Sequence, residues 1–174
     1  VTDAAETTAT LPGRLSTKRL TSQEDVHMRQ EYTFEDCPVG IETEPIEEVL
    51  SRETVLWYAH ALDTPNDDWY RYGSPLGEPI VPPAVLRTVG MGMRTIRISA
   101  PGGNVNAGTA VEYKKPVKVG TKISARGKLT EKYEKRGKYY TVWEFTVRDE
   151  GGDEVMVIRH LQCALPAGQK VQYR

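Results

Sequence analysis

The stretch 79–96, PIVPPAVLRTVGMGMRTI, limits what this chain can fold into more than any other. Pro79, Pro82 and Pro83 each hold φ near about −65° and lack an N–H, which suits the entry and first turn of a helix. Val85, Leu86, Val89, Met93 and Ile96 then recur at close to helical spacing, so the spacing predicts one helix running through Ile96. Ala84, Gly90 and Gly92 lie between them and let other parts of the chain come close. Each glycine costs about 1 kcal/mol against alanine in a helix, so this helix needs support from its surroundings. A helix apolar nearly all round is a buried one. Arg87 and Arg94, two turns apart on one face, mark its exit to solvent or to a partner.

The rest of the chain supplies something to bury it in. Residues 1–30 are polar, without an apolar period, and read as an arm that includes His27. The segment 31–40, EYTFEDCPVG, brings Tyr32, Phe34 and Val39 to a Pro-Val-Gly turn. A strand over 41–49 is broken by Pro45, which confines it to an edge or a bulge. Ser51 is a good N-cap, with Glu53 in the first turn. The helix SRETVLWYAHAL places Val55, Leu56, Ala59 and Leu62 on one side, flanked by Trp57 and Tyr58. The segment 63–75, DTPNDDWYRYGSP, is turn-rich, and its aromatics Trp69, Tyr70 and Tyr72 are of the kind that pack back onto the body.

After Pro101, Gly102 and Gly103 the pattern is β. Strands are predicted over 105–113, 122–133, 138–148 and 154–165, separated by turns at KKPVKVG, EKRG and DEGGD. In the third, Tyr139, Thr141, Trp143, Phe145 and Val147 alternate with Tyr140, Val142, Glu144, Thr146 and Arg148. In the fourth, Val155, Val157 and Leu161 oppose Met156, Ile158 and His160. Four long antiparallel strands in a meander must bury one face, and the long apolar element available to cover it is the 83–96 helix. The expected architecture is therefore α+β: a hot-dog fold, a long central helix wrapped by a curved antiparallel sheet, over 31–166 with a short tail at 167–174.

Composition narrows the function. The 174 residues suit one domain, and 23 basic against 24 acidic residues leave a net charge of −1. Bulk charge thus favours neither nucleic acid nor an anionic membrane. No run of eighteen apolar residues is present, so no transmembrane helix is expected. The opening VTDAAETTATLPGR lacks the apolar core of a signal peptide. Cys37 and Cys163 alone make neither a disulfide framework nor a zinc site, and a reduced cytoplasmic compartment is the simplest expectation.

In their order along the chain, YTFEDCPVG, SRETVLWYAHAL, GEPIVPPAVL and GTAVEYKKPVKVGTKI resemble the MaoC-like hot-dog family over roughly 32–165. These are the (R)-specific enoyl-thioester hydratases and 3-hydroxyacyl-thioester dehydratases. YAHALDTPNDDWY with the double-proline entry is most similar to a branch holding dehydratase N-terminal domains and the non-catalytic subunits of heterodimeric fatty-acyl dehydratases, such as the mycobacterial one. The resemblance implies an acyl-CoA or acyl-carrier thioester as ligand. It also implies a homodimer, or a heterodimer with another hot-dog subunit, joined sheet edge to sheet edge with sites at the interface.

In that family an Asp and a His, five residues apart in a GDxNPxH motif, hold the water that is added or removed. A backbone N–H from a glycine at the helix start polarises the thioester carbonyl. Setting Asn66 on the motif's Asn puts Thr64 at the Asp position and Trp69 at the His position. Sliding by one lets Asp63 stand for the acid and puts Asp68 at the His position. Neither placement supplies the histidine, and the glycine falls at Pro83, which has no N–H. Loss of one such donor typically costs about 10²–10³ in rate.

The resulting expectation is an acyl-thioester-binding partner or degenerate subunit of a dehydratase, with Asn66, Pro83, Ala84 and Val85 against the ligand. One alternative is an active hydro-lyase with a rearranged site, in which Asp63 works with His60, about one helical turn away. Another is a hot-dog thioesterase using a carboxylate and water. The plainer reading of His60 is a locally bonded helix histidine, of His160 a structural strand histidine, and of Asp67 and Asp68 a turn or cap. The acids Asp63, Asp67 and Asp68 do not follow a calcium-loop spacing, so no metal is expected, and no cofactor either. Trp69, Tyr70 and Tyr72 either wall an acyl tunnel or simply pack. Arg87 and Arg94 either meet the phosphates of a CoA or carrier or form a solvated face. Cys163 reads as a small core residue.

Overall fold

Proline and hydrogen-bond bookkeeping explain the first half of the chain. The computed structural model describes residues 30–62, 67–92 and 96–168. Within them β1 (Gln30–Tyr32) is followed by a turn and then β2 (Ile46–Val49). Residues 40–43 already run along the sheet. Gly40 N–H donates to Leu129 O at 2.7 Å, Leu129 N–H to Ile41 O at 3.0 Å, and Thr43 N–H to Gly127 O at 2.8 Å. Pro45, which cannot donate, separates the two pieces, as the edge-strand reading requires.

Helix α1 (Arg52–Leu62) begins at Ser51, whose Oγ accepts from Thr54 N–H at 3.2 Å in an N-cap bond. Val55 and Ala59 enter the core, while Trp57 on the opposite side is 58 % exposed. A short helix, α2 (Asp67–Arg71), lies within the stretch expected to be turn. Of its aromatics and the residue after it, Tyr70 is buried, but Trp69 is 39 % and Tyr72 76 % exposed. One inward face is all that so short a helix can offer, so the expected packing of all three fails for two of them.

The central helix, α3 (Pro83–Gly92), is shorter than its apolar spacing predicts. Ile96 instead opens β3 (Ile96–Ile98), which pairs in parallel with β1, Gln30 opposite Ile96 and Tyr32 opposite Ile98. Gly90 and Gly92 weaken the helix at its end. Ile96 and Ile98 are β-branched, and both are buried as strand residues. Gln30, assigned to the arm from its polarity, belongs to β1. Residues 1–29 with His27, residues 93–95 with Met93 and Arg94, and residues 169–174 lie outside the described residues.

The remaining strands are β4 (Asn104–Tyr113), β5 (Lys122–Lys135), β6 (Lys138–Asp149) and β7 (Glu154–Ala164). With β2 they form an antiparallel sheet in the order β2-β5-β6-β7-β4. Strands β5, β6 and β7 are a meander, but β4 pairs with β7 rather than with β5, so the expected four-strand meander does not hold. The cause is the connection 114–121, which is no hairpin. It passes the start of α3, where Val81 N–H donates to Val117 O at 2.7 Å and Val119 N–H to Pro79 O at 3.0 Å. Strand β4 is left on an edge of the sheet.

The inner face of the sheet carries Ile123, Ala125, Leu129, Phe145, Val147, Met156 and Ile158, all buried. Helix α3 lies on it through Gly90, where a Cβ would come within 3.0 Å of Met156 Cε and Val147 Cγ2. A register slip sets Val147 opposite Met156 but Arg148 opposite Glu154, so Val155 is an extra, bulged residue, and Val155 and Met156 are both fully buried. Lys132 ties the first turn to this face. Its Nζ donates to the carbonyls of Phe34, Glu35 and Cys37 at 2.7, 2.8 and 2.9 Å. The Phe34 ring stacks on Tyr139 with centroids 4.6 Å apart.

Gly127 is needed for packing rather than for its backbone angles. A Cβ there would lie 2.5 Å from Cε1 of Phe145, a fully buried ring. Gly127→Ala is expected to lower stability by about 1–3 kcal/mol, the usual cost of overpacking a filled core. Urea unfolding reads this as a lower midpoint at unchanged slope. A midpoint equal to that of the parent chain would mean that the ring has room the packing does not show.

Candidate functional site

The entry of α3 is built from both directions. Ile80 N–H donates to Trp69 O at 3.0 Å, which ties the approach to α2, while 79–81 is paired with 117–119 as described above. Pro82 is fully buried and its carbonyl accepts from both Val85 N–H at 2.9 Å and Leu86 N–H at 3.3 Å. Two amides of the first turn are therefore folded back onto one carbonyl, and the two prolines have no amide to offer. Pro83 and Ala84 face outward and are exposed, whereas Val85 is wholly in the core.

From the sheet side, Tyr113 at the end of β4 reaches this corner. Its hydroxyl donates to Pro83 O at 3.0 Å, and its side chain is still 43 % exposed. Arg87, one turn further along α3, is half-buried beside it. Sequence reasoning missed Tyr113 as a site residue. The available signal was the strand's period of two, which puts Tyr113 on the same face as Thr109 and Val111.

The site residues anticipated from sequence fall in different places. Pro83 and Ala84 form the exposed surface of the corner, and Val85 packs beneath it. His60 is exposed on α1. Asp63 and Asn66 lie outside the described residues, so the anticipated meeting of His60 with Asp63 falls there too. Asp68 is exposed on α2.

Other reactive groups are occupied structurally. His160 is buried on the inner face, with Nδ1 3.2 Å from Thr109 Oγ1. Cys37 and Cys163 are free and buried, and burial pushes the Cys37 thiol up, against the pull of Lys132. Such a thiol is a poor nucleophile. Among the described residues no group of three or more His, Cys, Asp or Glu side chains is placed to hold a metal ion. No described helix is long and apolar enough to cross a membrane.

This architecture is shared with MaoC-like hot-dog proteins. The MaoC-like dehydratase from Rhodospirillum rubrum superposes with a TM-score of 0.64 at 12 % identity, covering 78 % of this chain and 97 % of that one. The (R)-hydratase from A. caviae involved in PHA biosynthesis gives 0.59 at 19 % identity, over 75 % and 98 %. The C-terminally truncated HadBC (3R-hydroxyacyl-ACP dehydratase) complex from Mycobacterium tuberculosis gives 0.60 at 16 % identity, over 73 % and 98 %. No curated protein matches the sequence. A family model for the FAS1-like dehydratase domain region matches residues 38–157, well over half of the 174. The chain belongs to that dehydratase-region family.

The electrostatics of the corner can be checked through its phenol. Burial lifts the Tyr113 hydroxyl above its ordinary pKa, and the Arg87 guanidinium pulls it back down. Arg87→Gln removes the opposing charge, so Tyr113 is expected to ionise at still higher pH. Phenolate difference absorbance, with Tyr113→Phe as the blank, measures it. Because folding raises this pKa, the native state keeps its full advantage below the phenol's ordinary value of about 10 and loses it as pH climbs through the raised one. A fall in the titration midpoint of Arg87→Gln would show that Arg87 does not act on this group.

Proposed function

We propose that this chain is an acyl-thioester-binding subunit that works with a second hot-dog subunit carrying the acid–base machinery. One observation carries the reading. The first turn of α3 begins with Pro83, which has no N–H at the place where a dehydratase of this architecture needs a donor for the thioester carbonyl. The scaffold that would hold an acyl group is otherwise retained, with an apolar helix seated on a curved sheet. Strand β4 lies on an edge, and an edge of this length calls for a partner or a cover. Relatives of the same fold occur as two-subunit assemblies, the HadBC complex and the ChsH1-ChsH2 complex of Mycobacterium tuberculosis. The ligand class is an acyl-CoA or acyl-carrier thioester, held against Pro83 and Ala84.

Co-expression with a MaoC-like subunit that carries an intact GDxNPxH motif tests this. The two chains are expected to co-purify as a heterodimer that hydrates a crotonyl thioester. This chain alone, which lacks the motif's histidine in either placement and an N–H at Pro83, should turn over at least about 10²-fold more slowly. Asp63→Ala in the complex should leave the rate unchanged. The reading is lost if no complex forms and the chain alone hydrates the thioester at ordinary enzyme rates.

A further inference from the structure

We propose that Tyr113 is the hydrogen-bond donor that holds the acyl-thioester carbonyl at the entry of α3. This deepens the subunit reading above and rests on it. Pro82 and Pro83 have no N–H and Val85 N–H is used by Pro82 O, so the first turn keeps one backbone donor, the exposed Ala84 N–H, and a carbonyl arriving at this corner needs its second donor from elsewhere. Tyr113 comes from the sheet. It stands opposite Met156 in the register, and its hydroxyl reaches the first turn of α3. Met156 is fully buried while the Tyr113 side chain stays 43 % exposed at the surface of the corner.

The hydroxyl is free to change acceptor at low cost. Its hydrogen bond goes to Pro83 O, 3.0 Å away. That carbonyl lies in the first turn of a ten-residue helix, where the ladder supplies it with a backbone donor from four residues on. A carbonyl also has two lone pairs, so releasing the phenol does not strand it. A phenolic O–H lies in the plane of its ring and has two favoured directions. One is used by Pro83 O, and turning to the other would let the same O–H serve a ligand. Burial keeps the proton on Tyr113 across the physiological range, and Arg87 beside it favours the negative charge that builds on a polarised carbonyl oxygen.

A conjugated dienoyl-CoA tests the assignment, because its absorption moves to the red when its carbonyl accepts a hydrogen bond. Binding to the full chain, alone or in the heterodimer, should produce that shift. Tyr113→Phe should reduce it and weaken binding about three- to ten-fold, the usual loss for one neutral hydrogen bond. Fluorotyrosine placed at position 113, a stronger donor of the same shape, should deepen the shift and covers the case in which the phenylalanine variant folds poorly. A shift and affinity unchanged in Tyr113→Phe, or a shift unmoved by fluorotyrosine, would overturn the role of Tyr113 and leave the subunit reading intact. Failure of the parent chain to bind the dienoyl-CoA in either form would overturn the subunit reading and this role with it.

Discussion

The contact between Gly90 and the inner face of the sheet decides how the rest of the molecule is arranged. With no side chain at that position, α3 settles onto Met156, Val147 and Ile158 at a distance that a single added carbon would disturb. The helix could not stand without that contact. It is ten residues long with glycine at two positions, below the length at which an isolated helix persists in water. Burial of the large side chains beneath it, each worth about 1.5–3 kcal/mol, supplies what its own propensity lacks. Once the helix is fixed to the sheet at this depth, the position of its first turn follows, and so does the corner at Pro82 and Pro83.

Local pattern in the sequence was enough for the parts of this fold that depend on local pattern. The alternation of Tyr139, Thr141, Trp143, Phe145 and Val147 is the inner face of β6, and Ser51 caps α1. What escaped depends on partners far away in the chain. The apolar spacing of α3 runs on through Ile96, but a parallel pairing with Gln30–Tyr32 claims that residue for a strand. Turn residues between β4 and β5 read as one more step of a meander, yet their pairing with 79–81 carries the chain across the helix entry and sends β4 to the far side of β7.

The same division holds for the site. The helix entry at Pro83 was legible because proline restricts backbone geometry wherever it stands, and Pro83 and Ala84 are the exposed surface of that corner. Val85 has the same apolar character as its neighbours, and only the helix's orientation on the sheet shows that it points inward. The strand's period gave the face of Tyr113 but not its contact, because its acceptor is a backbone carbonyl thirty residues earlier in the chain. Backbone carbonyls carry no residue identity, so no motif could have announced that contact.

The corner is stiff for reasons that bear on what it can do. A helix start normally presents several free N–H groups and a partial positive charge. Here two of the donors are absent as prolines and Val85 N–H is turned back onto Pro82 O, which leaves the Ala84 N–H. What remains is a rigid, largely apolar ledge with a single backbone donor. Edge strand β4 runs directly to it. A slip in register between Asn106 and Gly108, where Asn106 Oδ1 accepts from Gly108 N–H at 3.1 Å, leaves 108–113 as the regular part of that edge. A strand added by a partner along this length would end beside Tyr113 and hence beside Pro83. On the proposed reading, assembly and ligand contact would therefore meet at one residue, which ties the sheet edge to the helix entry.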